Sequence, residues 1–116
     1  MSMSLYADYI QESKGSTVVE DEMGFYEYSL KEECLYIENA YIIPEKRGNN
    51  NGRKYMVQMA EIAKAFDLHQ LTGVVNVKHL NANYLMGLYL KNGGNVMLAQ
   101  NDNIYFTISV EDALKL

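Results

Sequence analysis

Tyr41-Ile42-Ile43-Pro44-Glu45-Lys46-Arg47-Gly48-Asn49-Asn50-Asn51-Gly52-Arg53-Lys54 is the stretch on which the fold of this chain turns. A run of β-branched and aromatic residues halts at Pro44, passes through a Gly/Asn loop and opens into a periodic segment, which predicts strand, loop and helix in succession. The first turn of a helix leaves backbone N–H groups unpaired at the positive end of the macrodipole, and a Gly/Asn loop lets an anion approach them closely. Lys46, Arg47, Arg53 and Lys54 add positive charge around that point. The expected ligand is a phosphate.

The spacing argues against a mononucleotide P-loop, which needs four residues between its glycines and then Lys and Ser/Thr. Here three residues separate Gly48 from Gly52, and Arg53-Lys54-Tyr55 follows. The stretch instead resembles the acyl-CoA loop of the GCN5-related N-acetyltransferase (GNAT) superfamily: strand, Pro, then Arg/Gln-x-x-Gly-x-Gly/Ala leading a helix. Arg47 takes the Arg/Gln place, Gly52 the final Gly/Ala place, and Asn50 stands where the family usually has Gly. Asn is the residue that best tolerates left-handed backbone after Gly. A second motif of the family, Asn-x-x-Ala-x-x-x-Tyr-x-Lys-x-Gly-Phe, is similar to Tyr89-Leu90-Lys91-Asn92-Gly93, with Gly94 at the aromatic place and Ala82 at the Asn place between Asn81 and Asn83.

At 116 residues the chain is expected to be a single domain over 1–116. Apolar residues make up 48% and charged residues 22%, as in a soluble globular protein. No apolar run approaches the ~20 residues of a membrane span, and Met1–Tyr6 lacks the basic and apolar regions of a signal peptide, so a cytoplasmic protein with no membrane partner is expected. Cys34 is the single cysteine, and His69 and His79 lie too far apart for a local zinc motif. No metal is expected.

Charge divides the chain. Residues 1–45 carry ten acids against two lysines, a net −8, whereas residues 46–116 carry eight Lys/Arg against five acids, a net +3. A basic lip for an anionic cofactor beside an acidic surface for a cationic amine would give this division, as would an acidic solvated surface with no ligand. Nucleic acid is disfavoured, because only four basic residues cluster and the total is −5.

Periodicity predicts a helix over 3–13, strands over 16–20 and 25–30, a central strand over 35–43, a helix from Gly52 to about Asp67, a strand within 70–77, a helix over 81–92 and a hairpin of 95–100 with 104–110. Strand, helix and strand of these lengths make a parallel crossover pair. The expected class is α+β: a mixed, mostly antiparallel sheet with a parallel central pair of strands flanked by helices. Residues 34–110 carry the resemblance to the acyl-CoA N-acyltransferase fold. Residues 1–15 would stand in for the first strand and paired helices that commonly cover the acceptor.

The resemblance implies an acetyl-CoA-dependent N-acetyltransferase that moves acetyl directly to an amine of a small molecule or protein. It implies that the two central strands splay and that the pantetheine arm of acetyl-CoA pairs with the first of them. Tyr41, Ile42, Ile43, Arg47, Gly48, Asn49, Asn50, Asn51, Gly52 and Arg53 would then bind the cofactor, with Asn81 or Asn83 on the pantetheine arm. Tyr89 would protonate the departing thiolate, or is instead a core aromatic. Glu38, the one carboxylate in an otherwise apolar central strand, is the candidate base; otherwise it faces solvent or pairs with Lys31. His79 is read as structural or exposed, Cys34 as a small core residue, and Met56, Met59, Met86 and Met97 as packing. The other reading is a GNAT-fold binding or inhibitory protein that docks to a partner; a homodimer is an assembly left open.

Overall fold

Alternating and helical patterns sort residues 4–115, the part of the chain described by this computed structural model, into six strands and four α-helices. Helix α1 (Leu5–Lys14) is capped by Ser4, whose hydroxyl accepts the Ala7 N–H at 3.0 Å, and stops at left-handed Gly15. Met3, the first residue of the expected helix, lies outside the described residues. Strands β1 (Thr17–Glu20), β2 (Gly24–Leu30) and β3 (Leu35–Ile42) form the expected antiparallel meander. A 3₁₀ turn over Pro44–Lys46 leads through the loop into α2 (Asn51–Ala65), and β4 (Gln70–Asn76) follows. Helix α3 (Ala82–Lys91) precedes the hairpin of β5 (Asn95–Gln100) and β6 (Asn103–Ser109).

The sheet runs β1-β2-β3-β4-β6-β5, with β3 and β4 parallel and every other neighbour antiparallel. One face carries Tyr26, Leu35, Ile37, Ile42, Leu71, Val75, Phe106 and Ile108, all buried against Tyr55, Met56 and Met59 of α2 and Leu88 and Tyr89 of α3. On the other face, α1 packs Ala7 and Ile10 against Val18 and Phe25. Burial of two apolar layers against one side of the sheet and one short helix against the other is what supports the site below.

The last strand expected over 104–110 is cut short at Ser109. Val110–Lys115 is a further helix, α4, and Ser109 Oγ accepts the Asp112 N–H at 3.3 Å. Ser-x-x-Asp at 109–112 is a capping signature, so the helix start was written in the sequence. The alternation of Ile104, Phe106 and Ile108 simply runs into Val110 and hides it.

Candidate active site

After β3, Pro44 ends strand pairing because it has no N–H and a fixed φ. Gly48, Asn49 and Asn50 then follow with positive φ of 84°, 52° and 63°. Gly and Asn are among the residues that tolerate such backbone best. Asn50 is the N-cap of α2 and makes no side-chain capping bond. Asn51 turns its N–H back to the Gly48 carbonyl (3.1 Å), and Lys54 makes the first helical bond, to the Asn50 carbonyl (3.1 Å). Among the described residues, the N–H groups of Gly52 and Arg53 have no backbone acceptor, and they stand at the positive end of the helix.

Two of the residues expected to face a ligand are turned elsewhere. Asn51 is buried and donates Nδ2 to the Lys46 carbonyl at 2.6 Å, which braces the loop from inside. Arg53 is a clamp, not a mobile charge: its guanidinium donates to Asn92 Oδ1 (3.1 Å) and to the Ala113 carbonyl (3.2 Å). Asn92 in turn donates to the Leu88 carbonyl at 2.7 Å. Arg53 thereby ties the start of α2 to the end of α3 and to α4. Lys46 and Lys54 remain exposed.

Beside the loop, a groove of about 410 Å³ runs between α2 and α3, lined by Asn49, Asn50, Asn83, Tyr84, Leu88 and Lys91 among others. Tyr84, Gly87, Leu88 and Lys91 recur at three- and four-residue spacing, so they share one face of α3. Sequence reasoning followed the apolar stripe of this helix and missed that second face. The helices approach closely because Gly52 has no side chain; a Cβ there would lie 2.5 Å from Leu88 Cδ1. Asn83 lines the groove, whereas Asn81 stands at the head of α3 and donates its N–H to His79 Nδ1 at 3.1 Å.

The parallel pairing of β3 with β4 covers only Leu35–Leu71, Tyr36–Thr72 and Ile37–Gly73. At that point β3 bulges. Its partners on β2 jump from Ile37–Tyr28 to Asn39–Glu27, so Glu38 is the extra residue and the strand bends away. Beyond it, Ile43 donates to the Met23 carbonyl at 2.8 Å, which makes Ile42–Gly24 a non-hydrogen-bonded pair. The N–H and C=O of Ile42 therefore point away from β2, into the gap between β3 and β4, and alternation gives Ala40 the same direction. The Ala40 N–H is already engaged, donating to its neighbour Asn39 Oδ1 at 3.0 Å. The Ile43 N–H, expected to serve a ligand, is already spent; the Ile42 N–H is the one that faces the gap.

At the closed end of this gap sits Tyr89. A Cβ on Gly73, the last paired residue of β4, would lie 2.8 Å from the Tyr89 hydroxyl and 2.7 Å from its Cζ. The ring is buried and packs on Phe106 at 5.3 Å between centroids. Burial drives the Tyr89 pKa well above the ordinary phenol value, and the Tyr36 phenol adds to the rise. The hydroxyl holds its proton throughout the physiological range.

Glu38 lies on the face that carries α1, half-buried, and accepts a hydrogen bond from Ser29 Oγ at 2.7 Å. Lys31 is not its partner and instead lies 5.9 Å from the centroid of the Tyr36 ring. Burial raises the pKa of Tyr36, and the Glu38 carboxylate raises it further. Glu27, unremarked in the sequence, is buried on the same face and holds Lys14 Nζ of α1 at 3.2 Å. Its hydrogen bond and its charge raise the Lys14 pKa.

No family model matches the sequence, and no curated protein matches it at a significant level. Solved structures do match. The PaiA N-acetyltransferase of Thermoplasma acidophilum, in complex with coenzyme A, is 16% identical, with a TM-score of 0.71 over 90% of this chain and 68% of that one. A GNAT family acetyltransferase of Elizabethkingia anophelis with acetyl-CoA bound is 14% identical, with a TM-score of 0.66 over 92% and 83%. The ribosomal-protein-S18-alanine N-acetyltransferase of Escherichia coli is 11% identical, with a TM-score of 0.65 over 95% and 79%. The chain has the GNAT fold.

In that fold the expected α+β class, antiparallel meander and parallel central pair are all present. Across the GNAT fold of this chain, the donor-rich loop, the gap between β3 and β4 and the Tyr89 hydroxyl lie in sequence along one path. Such a path has N–H donors for an anion at one end, backbone groups for an extended chain in the middle and a proton donor at the other.

Proposed function

We propose that this protein is an acetyl-CoA-dependent N-acetyltransferase that transfers acetyl directly to an amine. The observation that carries this reading is the parting of β3 from β4 immediately after Ile37–Gly73, with the Tyr89 hydroxyl against Gly73 at the apex. Acetyl-CoA supplies the acetyl group as a thioester. The N–H groups of Gly52 and Arg53 and the turn at Gly48–Asn50 hold its pyrophosphate, Asn83 faces the arm from α3, and the Ile42 N–H binds within the gap. Tyr89 gives its proton to the departing sulfur as the C–S bond breaks. The new C–N bond forms on the other side, and the amine proton passes to Glu38, directly or through water.

The arrangement suits each role. Burial keeps the Tyr89 phenol protonated at neutral pH, so it is in the donor form when negative charge develops on the departing sulfur. Glu38 sits at the bulge, the first residue past the last β3–β4 pair, and faces the side that α1 covers only in part. Titration with acetyl-CoA tests the cofactor half: the thermal midpoint rises if the native state binds it. Release of free thiol with a panel of amines, lysine peptides and free peptide N-termini tests transfer. Binding without transfer to any of them would favour the docking reading over the enzyme.

A further inference from the structure

Arg47 is not where a simple phosphate ligand would be. Its Nε donates to the Ile42 carbonyl at 2.8 Å, and its guanidinium lies 4.7 Å from the Tyr84 ring centroid and 5.6 Å from the Tyr41 ring centroid. Tyr84 belongs to α3, on one face of the sheet, and Tyr41 contacts Phe25 on the face of α1. A guanidinium against both rings therefore lies beyond the end of β3, across the mouth of the gap. The carbonyl it takes is one of the few backbone groups that point into that gap.

Resting on the acetyl-CoA reading above, we propose that Arg47 is a latch on the channel for the acyl-pantetheine arm. In the free protein it fills the mouth and satisfies the Ile42 carbonyl, which would otherwise be an unpaired acceptor. An entering arm takes over that carbonyl as an added strand would, and the freed guanidinium turns to the phosphates that follow the arm. The phosphates thus draw the latch away from the seat of the arm, so the cofactor opens its own channel. An acyl-pantetheine without phosphates has to displace Arg47 with nothing to draw it off.

The chain has two arginines, Arg47 and Arg53, so a nitrogen-15 spectrum of the Nε–H groups holds two signals, and an Arg47→Lys variant assigns them. Saturation with coenzyme A is expected to move the Arg47 signal and leave that of Arg53, clamped to Asn92 and Ala113, nearly in place. In parallel, Arg47→Ala should bind S-acetyl-pantetheine about fivefold more tightly than the unmodified protein, the factor that one net hydrogen bond is worth, and bind coenzyme A less tightly. An Arg47 signal that stays fixed while amide signals of Gly48–Arg53 shift would overturn the latch and keep the cofactor site. Equal or weaker S-acetyl-pantetheine binding by Arg47→Ala would also overturn it. No shift anywhere at millimolar coenzyme A would instead remove the cofactor reading on which it rests.

Discussion

Tyr89 and Gly73 are fitted to each other across the sheet: the phenol of α3 lies where the side chain of any other residue at 73 would have to go. Gly73→Ala should therefore overpack the core, at a cost of about 1–3 kcal/mol, and move the hydroxyl from the apex of the gap. Urea unfolding reads the first effect and the transfer rate the second.

Tyr89→Phe keeps the ring on Phe106 and removes only the proton donor. With a working acceptor, kcat should fall by about 10²–10⁴-fold, the usual weight of a general acid, while acetyl-CoA still raises the thermal midpoint. Equal rates in the two proteins would take Tyr89 out of the mechanism.

A charge placed in the loop should report on the anion site, provided that it leaves the helices in place. Gly52→Asp does not qualify, because its Cβ would meet Leu88 at 2.5 Å. Asn50→Asp does: the residue is exposed, its φ of 63° is one that Asp tolerates, and one negative charge is added beside the free N–H groups. The acetyl-CoA thermal shift should shrink markedly, and the midpoint without ligand should change by only a degree or two.

Tyr26 donates to Gln58 Oε1 at 2.8 Å, and burial pushes its pKa up from 10.0 to about 12; Tyr55, bound to Asp21, is raised as well. Above pH 10 the unfolded chain releases these protons while the folded one keeps them, so stability is complete below pH 10 and falls as pH rises toward 12. Urea midpoints measured across that window should decline, and Tyr26→Phe should make the decline shallower.

Glu27 depends on α1 for its counter-charge. Lys14→Met should cost about 1–3 kcal/mol, the penalty for an unpaired buried group, held toward the lower end because Lys14 is half exposed. Adding Glu27→Gln to that variant should recover part of the loss, which a double-mutant cycle in urea would measure.

Much of this architecture was legible because its signals are local. Pro44, the Gly/Asn run and the periodicity of Tyr55, Met56 and Met59 mark strand, loop and helix without reference to the rest of the chain. What stayed hidden depends on partners far off in sequence. The inward turn of Asn51, the clamp of Arg53 on Asn92 and Ala113 and the fit of Tyr89 to Gly73 are all set by tertiary contacts. Glu38 stands out in the sequence as a lone acid in an apolar strand; that it is the extra residue of a bulge follows from its register with β2. Only α4 carried a local signal, the Ser109–Asp112 cap, that strand alternation masked.

The clamp at Arg53 gives the final helical turn a reach of sixty positions. Ala113 is buried, and its carbonyl holds one arm of the guanidinium whose backbone N–H stands in the anion loop. Unwinding α4 would free Arg53 and loosen the very turn on which the loop donors are mounted. Strain applied to the last helix is thus transmitted to a turn sixty positions earlier in the chain.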